Sequence, residues 1–169
     1  MPYFNIVAAT NENTVVTEYE PIPKRAEGYQ SEAELEKDFI HKLTEQGYQY
    51  LTIHKEADLI ANLRTQMETL NHFTFSDAEW DRFFHDSIAN QNEGIVEKTR
   101  KIQEDYVQVL KRDDGTSKNI LLIDKKNIHN NSLQVLNQYK VSKSDGSKYD
   151  NRYDVTILVN GFPLVHIEF

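Results

Sequence analysis

Two apolar segments on either side of an Asn-Gly dipeptide close the sequence and constrain its fold more than any other feature. Residues 153–159 (YDVTILV) and 162–169 (FPLVHIEF) are rich in β-branched and aromatic residues, which favour strands. Asn160-Gly161 between them is a typical turn sequence for two antiparallel strands. The pattern therefore predicts a closing β-hairpin.

Asp154 and Glu168 are acids within these apolar strands, and their positions depend on the strand register. Because side chains alternate, burying the odd-numbered apolar residues of both strands together requires Ile157 opposite an odd-numbered residue. A strict two-residue turn would instead place Ile157 opposite Leu164. One extra residue, in a three-residue loop or a bulge, pairs residue 159 with 163, 157 with 165 and 154 with 168.

In that register the Asp154 and Glu168 carboxylates face each other, with Cβ atoms about 4.5–5.5 Å apart. Facing carboxylates repel unless a proton or a cation lies between them, so the arrangement predicts a site for a divalent metal. Thr156 and His166 form the next pair on the same face. Acids on the exposed face of a hairpin are also common, and the pair alone does not exclude that structural interpretation.

The remaining segments predict an α/β fold, with an α+β mixed sheet flanked by helices. Ser31 and Glu34 form a capping-box pattern that starts a helix ending at Gly47. Ser76 and Glu79 repeat that pattern inside a region, about residues 55–103, that is mostly helical in its spacing. Further strands are predicted at residues 3–8, 14–19, 48–53, 106–110, 119–124 and 133–141.

Composition limits the function classes. The 169 residues carry a net charge of −8, which argues mildly against independent tight binding to DNA but suits a hard divalent cation. The absence of cysteine excludes disulfides and thiolate metal sites. No segment resembles a membrane helix or a secretory signal, so an intracellular, cytoplasmic protein without membrane partners is expected.

Three blocks near the end carry a resemblance to a known family: Arg152-Tyr153-Asp154, Asn160-Gly161-Phe162-Pro163-Leu164 and Ile167-Glu168-Phe169. They resemble the PD-(D/E)xK nuclease motif in the N-terminal domain of type I restriction enzyme R (HsdR) subunits, which has the pattern R-x-D, strand, N-G-x-P-L, strand, E-x-K. The helix from Ser31 to Gly47, with Glu36, and the segment 133–141 are similar to the family's opening helix and to the strand before its active hairpin. The resemblance spans about residues 31–169.

The resemblance implies a restriction-endonuclease-like core at 31–169, with residues 55–103 as a helical insertion and residues 1–30 as a hairpin and linker. It implies Mg²⁺-dependent hydrolysis of phosphodiesters in double-stranded DNA. Asp154 and Glu168 would be catalytic and would hold the metal with the backbone carbonyl of Phe169, and Glu36 would assist as a third catalytic acid. In the intact subunit, cleavage would follow ATP-driven translocation in complex with specificity and methylation subunits.

Two departures from the family pattern matter. Tyr153 stands where the motif has its nominal proline, and the motif lysine would follow Phe169 directly and is not in the sequence. No G-x-x-x-x-G-K-[ST] phosphate loop occurs either, so ATP is expected only in translocase domains that this chain lacks. We therefore expect a fragment, truncated after the active-site hairpin, that cuts DNA negligibly by itself.

Two other interpretations stay open on the sequence. One is a free-standing PD-(D/E)xK DNA-repair nuclease, which a basic DNA-binding face would favour. The other is a non-catalytic assembly module with a nuclease-like fold. Trp80, Phe83 and Phe84, which recur at helical spacing, are expected in the core rather than at a base-stacking surface, and His166 is expected to be a hydrogen-bonded strand residue.

Overall fold

The computed structural model describes residues 3–9, 15–20, 31–141 and 151–169, and the chain divides into two compact units, Met1–Ser31 and Glu32–Phe169. The smaller unit contains an antiparallel hairpin of β1 (Tyr3–Ala9) and β2 (Val15–Glu20), with a register shift between Ile6 and Ala8. The hairpin predicted from the β-forming residues in this region is therefore confirmed.

The larger unit is mixed α/β. In chain order its elements are α1 (Glu32–Glu45), β3 (Gln49–Tyr50), α2 (Glu56–Asn71), α3 (Asp77–Phe83), a π-helical turn (Phe84–Ile88), α4 (Ile95–Gln103), β4 (Val107–Lys111), β5 (Ser117–Leu121), a 3₁₀ turn (Ile128–Asn130), β6 (Leu133–Val141), β7 (Asn151–Val159) and β8 (Phe162–Ile167). None of the helices in the described ranges is long and apolar enough to cross a membrane.

A four-stranded mixed sheet forms the centre of this unit, with strand order β3-β6-β7-β8. β3 runs parallel to β6, whereas β7 lies between β6 and β8 and runs antiparallel to both. β4 and β5 form a separate hairpin around Asp113-Asp114-Gly115. The strand predicted over residues 48–53 is wrong in length, because only Gln49 and Tyr50 pair with β6 before the chain turns into α2.

Both faces of the sheet are covered. On one face Val135 and Val155 pack with Leu43 of α1, and on the other Leu136 and Leu158 pack with Ile53. Leu158 has no exposed surface. From the sequence, only the odd-numbered residues of β7 were expected to be buried. The burial of Leu158 was missed, because it depends on Ile53 packing on the opposite face of the sheet.

A second core lies between α2, α3 and the β4–β5 hairpin. Trp80 and Phe83 are buried there, as predicted, and Phe84 packs against the cluster from a partly buried position. The capping box that starts α3 is confirmed: the Ser76 hydroxyl accepts from the Glu79 N–H, and the Glu79 carboxylate accepts from the Ser76 N–H. α1 begins at Glu32 as its spacing predicted, whereas the cap at Ser31 stays a prediction.

Candidate active site

The Asn160-Gly161 turn anchors the closing hairpin in the protein interior. Both residues have positive φ angles, 51° and 83°, as a two-residue type I′ turn requires. The buried Asn160 side chain accepts from the Ser132 N–H and donates to the Leu122 carbonyl. A Cβ on Gly161 would lie 2.7 Å from the Leu63 Cα, so the turn rests directly on the backbone of α2.

The register of β7 and β8 combines this tight turn with a bulge. Val159 pairs with Phe162, so the predicted pairing of residue 159 with 163 is wrong. The register shifts between Leu158 and Ile157, which leaves Leu164 as the extra residue and pairs Ile157 with Val165, as predicted. The bulge follows Pro163, which has no N–H to donate to a regular ladder.

Asp154 lies on the side of the hairpin that faces away from α1. Val155 packs on α1, so its neighbour Asp154 points to the opposite face by strand alternation. Glu168 lies between Ile167, which packs in the same α1 cluster, and Phe169, whose ring is 5.7 Å from that of Phe39. Glu168 follows the last residue of β8, and its placement on the same face as Asp154 stays a prediction.

The backbone next to Glu168 fixes the orientation of the Asp154 carboxylate. The Phe169 N–H donates to Asp154 Oδ2 at 2.9 Å. The continuous ladder ends one pair earlier, at Val155 and Ile167, so direct pairing of the two acids stays a prediction. Asp154 is half-buried and Glu168 is exposed.

Thr156 and His166 form the predicted neighbouring pair on this face. The Thr156 hydroxyl lies 3.0 Å from His166 Nδ1, and burial lowers the pKa of His166. The lowered pKa favours the neutral imidazole, and its Nδ1 contacts the Thr156 hydroxyl. This contact supports the interpretation of His166 as a hydrogen-bonded strand residue.

Glu36 reaches the sheet from the other side. Glu36 is 8% exposed, and its carboxylate accepts a 2.6 Å hydrogen bond from the Asn137 side chain of β6. The Tyr50 hydroxyl donates to the oxygen of the same Asn137 amide at 2.7 Å. No local sequence signal assigned these roles to Asn137 and Tyr50, because they are 87 residues apart and only the β3–β6 pairing brings them together.

The three predicted site acids are not gathered into one cluster. In the described parts of the chain, no group of three or more acidic or histidine side chains could hold a metal ion. Strand alternation directs Asp154 away from α1, whereas Glu36 lies on α1 and contacts Asn137. Two carboxylates and a backbone carbonyl still suit Mg²⁺, which is commonly bound by one or two carboxylates and keeps several waters.

A mixed sheet between helices, with an acid-bearing hairpin next to its edge, is the architecture expected for a restriction-nuclease-like domain. The chain belongs to the family described as "Type I restriction enzyme R protein N terminus", whose model matches residues 29–169. The resemblance inferred from the closing motif and the first helix is thereby confirmed.

Named relatives agree with this family. The chain is 44% identical over 163 residues to the "Type I restriction enzyme EcoprrI endonuclease subunit" of Escherichia coli, an alignment that covers 96% of this chain and 51% of that protein. It is 35% identical over 145 residues to the "Type I restriction enzyme SsaAORF53P endonuclease subunit" of Staphylococcus saprophyticus, covering 83% of this chain and 15% of that protein. The chain thus spans about half the length of the first relative and a smaller part of the second.

Proposed function

We propose that this chain is the nuclease region of a type I restriction endonuclease subunit, and that its closing hairpin provides a Mg²⁺ site for phosphodiester hydrolysis in double-stranded DNA. The observation that carries the proposal is the hydrogen bond from the Phe169 N–H to Asp154, which holds this carboxylate next to the backbone that follows Glu168. This hairpin lies within the segment that matches the restriction-enzyme family.

Each residue of the proposed site has a distinct task. Asp154 and Glu168 hold the cation, and the Phe169 carbonyl is a third oxygen ligand. A bound Mg²⁺ supplies polarisation of the scissile phosphate and a lowered pKa of coordinated water. Glu36, whose carboxylate accepts from Asn137 of β6, supports the site from the α1 side of the sheet.

The organisation of the parent protein extends this proposal. We assign residues 31–169 to the nuclease core, with residues 55–103 as a helical insertion, and residues 1–30 to a hairpin and linker. ATP-driven translocation belongs to the parts of the longer relatives that this chain does not cover. The partners are double-stranded DNA and the specificity and methylation subunits of a cytoplasmic restriction complex.

Thermal unfolding with and without Mn²⁺ or Mg²⁺ tests the metal site directly. A ligand at 100 times its Kd stabilises the native state by about 2.7 kcal/mol, which raises the Tm by about 5–10 °C for a protein of this size. The wild type and an Asp81→Asn control, changed at an exposed acid of α3, should show this rise. Asp154→Asn should not.

Two outcomes would contradict the proposal. Equal shifts in wild type and Asp154→Asn would show that the cation binds elsewhere. No shift in any of the three proteins at millimolar Mn²⁺ would favour the alternative of a non-catalytic module with a nuclease-like fold.

A further inference from the structure

Three residues other than glycine have left-handed backbone conformations in the described ranges: His72, Gln138 and Asn160. Such a conformation costs about 1–2 kcal/mol because Cβ approaches the following carbonyl oxygen. Two of the three have a structural reason. His72 ends α2, where its N–H caps the carbonyls of the last turn, and Asn160 lies in the tight turn of the hairpin.

Gln138 has no such reason, since it lies in the interior of β6 with φ 55°. Neither a helix end nor a hairpin turn requires the left-handed conformation at that point. Strained residues of this kind persist where the surrounding structure holds them, and they concentrate at functional sites. The residues around Gln138 therefore indicate which function its strained conformation serves.

The register of β6 and β7 puts Gln138 at the position that corresponds to Asp154. Asn137 pairs with Val155 and Tyr139 pairs with Tyr153, and the pair between them, Gln138 with Asp154, is missing from an otherwise continuous register. Gln138 is exposed, so its carboxamide is free of the protein core at this register position.

We propose that Gln138 is a metal-binding residue whose carboxamide oxygen joins Asp154 and Glu168 at the cation site. This assignment rests on the proposed function. A neutral amide oxygen suits the position because it is a hard ligand that adds no negative charge beside two carboxylates. The left-handed conformation interrupts the regular pairing opposite Asp154. The strained backbone thereby frees the Gln138 side chain to act as a ligand of the cation.

The test is to measure Mn²⁺ affinity and apo stability separately in Gln138→Gly. Glycine removes the ligand and also relieves the left-handed strain, so the two quantities should not fall together. Mn²⁺ affinity, followed by the EPR signal of free Mn²⁺, should fall about 10-fold or more. Without metal, the Tm should stay the same or rise by up to about 3 °C, since strain relief exceeds or balances the added backbone entropy of glycine.

His72→Gly is a matched control, because it relieves the same kind of strain at an exposed residue outside the hairpin. Its apo stability should change as in Gln138→Gly, and its Mn²⁺ affinity should equal that of the wild type. Gln138→Glu replaces the amide oxygen with a carboxylate and should bind Mn²⁺ more tightly than the wild type.

The possible failures are distinguishable. If Asp154→Asn abolishes Mn²⁺ binding while Gln138→Gly binds like the wild type, the assignment of Gln138 is overturned and the proposed function stands. Wild-type binding that Asp154→Asn leaves intact, or no binding by the wild type, would overturn the proposed function and this assignment with it.

Discussion

Replacement of Gly161 by alanine should destabilise the protein far more than the same change at Gly115. Both glycines have left-handed backbones, with φ angles of 83° and 81°. A Cβ on Gly115 would meet no atom within 4 Å. A Cβ on Gly161 would lie 2.7 Å from the Cα and 3.2 Å from the N of Leu63, and these backbone atoms of α2 cannot move independently of the helix.

The two sites separate the conformational cost from the steric cost. Alanine in the left-handed region costs about 1–2 kcal/mol, and Gly115→Ala should lose only this amount. Gly161→Ala adds a clash inside a packed region, for which overpacking costs of about 1–3 kcal/mol are typical. The expected loss for Gly161→Ala is therefore about 2–5 kcal/mol, or a fall in Tm of roughly 5–15 °C.

Urea unfolding of the wild type and both variants measures these differences, provided that the slope of the transition is unchanged. The critical quantity is the difference between the losses of unfolding free energy in the two variants, because the cost of a left-handed alanine is the same in both. Equal losses at both positions would show that the hairpin turn is not seated against α2, and the placement of β7 and β8 would need revision.

Three further perturbations probe the contacts around the site. Asn160→Ala should lower the free energy of unfolding by about 2–4 kcal/mol, because it leaves the partly buried Ser132 N–H and the buried Leu122 carbonyl without their partner; a loss below about 1 kcal/mol in urea would contradict this. Hydrogen bonds lower the pKa of Glu79, and the one from the Ser76 N–H has the largest effect. The ionised Glu79 carboxylate therefore contributes fully to the free energy of unfolding above the ordinary Glu pKa of about 4.3. This contribution is lost as the pH falls through the lower pKa of Glu79 in the folded protein. The stability difference between the wild type and Glu79→Gln should therefore shrink in acid, as urea titrations at several pH values can show. Tyr50→Phe should cost about 0.5–1 kcal/mol, because it removes the hydroxyl that orients the Asn137 amide; an unchanged unfolding midpoint would show that this hydrogen bond does not form in solution.

Local patterns in the sequence predicted the elements that depend on neighbouring residues. The capping box at Ser76 and the aromatic spacing of Trp80 and Phe83 depend only on residues a few positions apart, and the structure confirms both. Contacts distant in sequence were not predictable in this way. The burial of Leu158 depends on a second layer over the sheet, and the hydrogen bond from Asn137 to Glu36 joins residues 101 positions apart.

The closing hairpin shows how far the hydrophobic pattern alone determines a register. Burial of Val155 and Ile167 on α1 requires one extra residue between the paired positions of β7 and β8, and this requirement fixed the pairing of Ile157 with Val165. The pattern does not decide where the extra residue goes, since a longer loop and a bulge satisfy it equally. Tertiary contacts determine the turn, because Gly161 packs directly against the α2 backbone at Leu63 and a longer loop would collide with it. The extra residue therefore falls at Leu164 in β8, at the end of the strand order, where an unpaired residue disrupts one ladder rather than two.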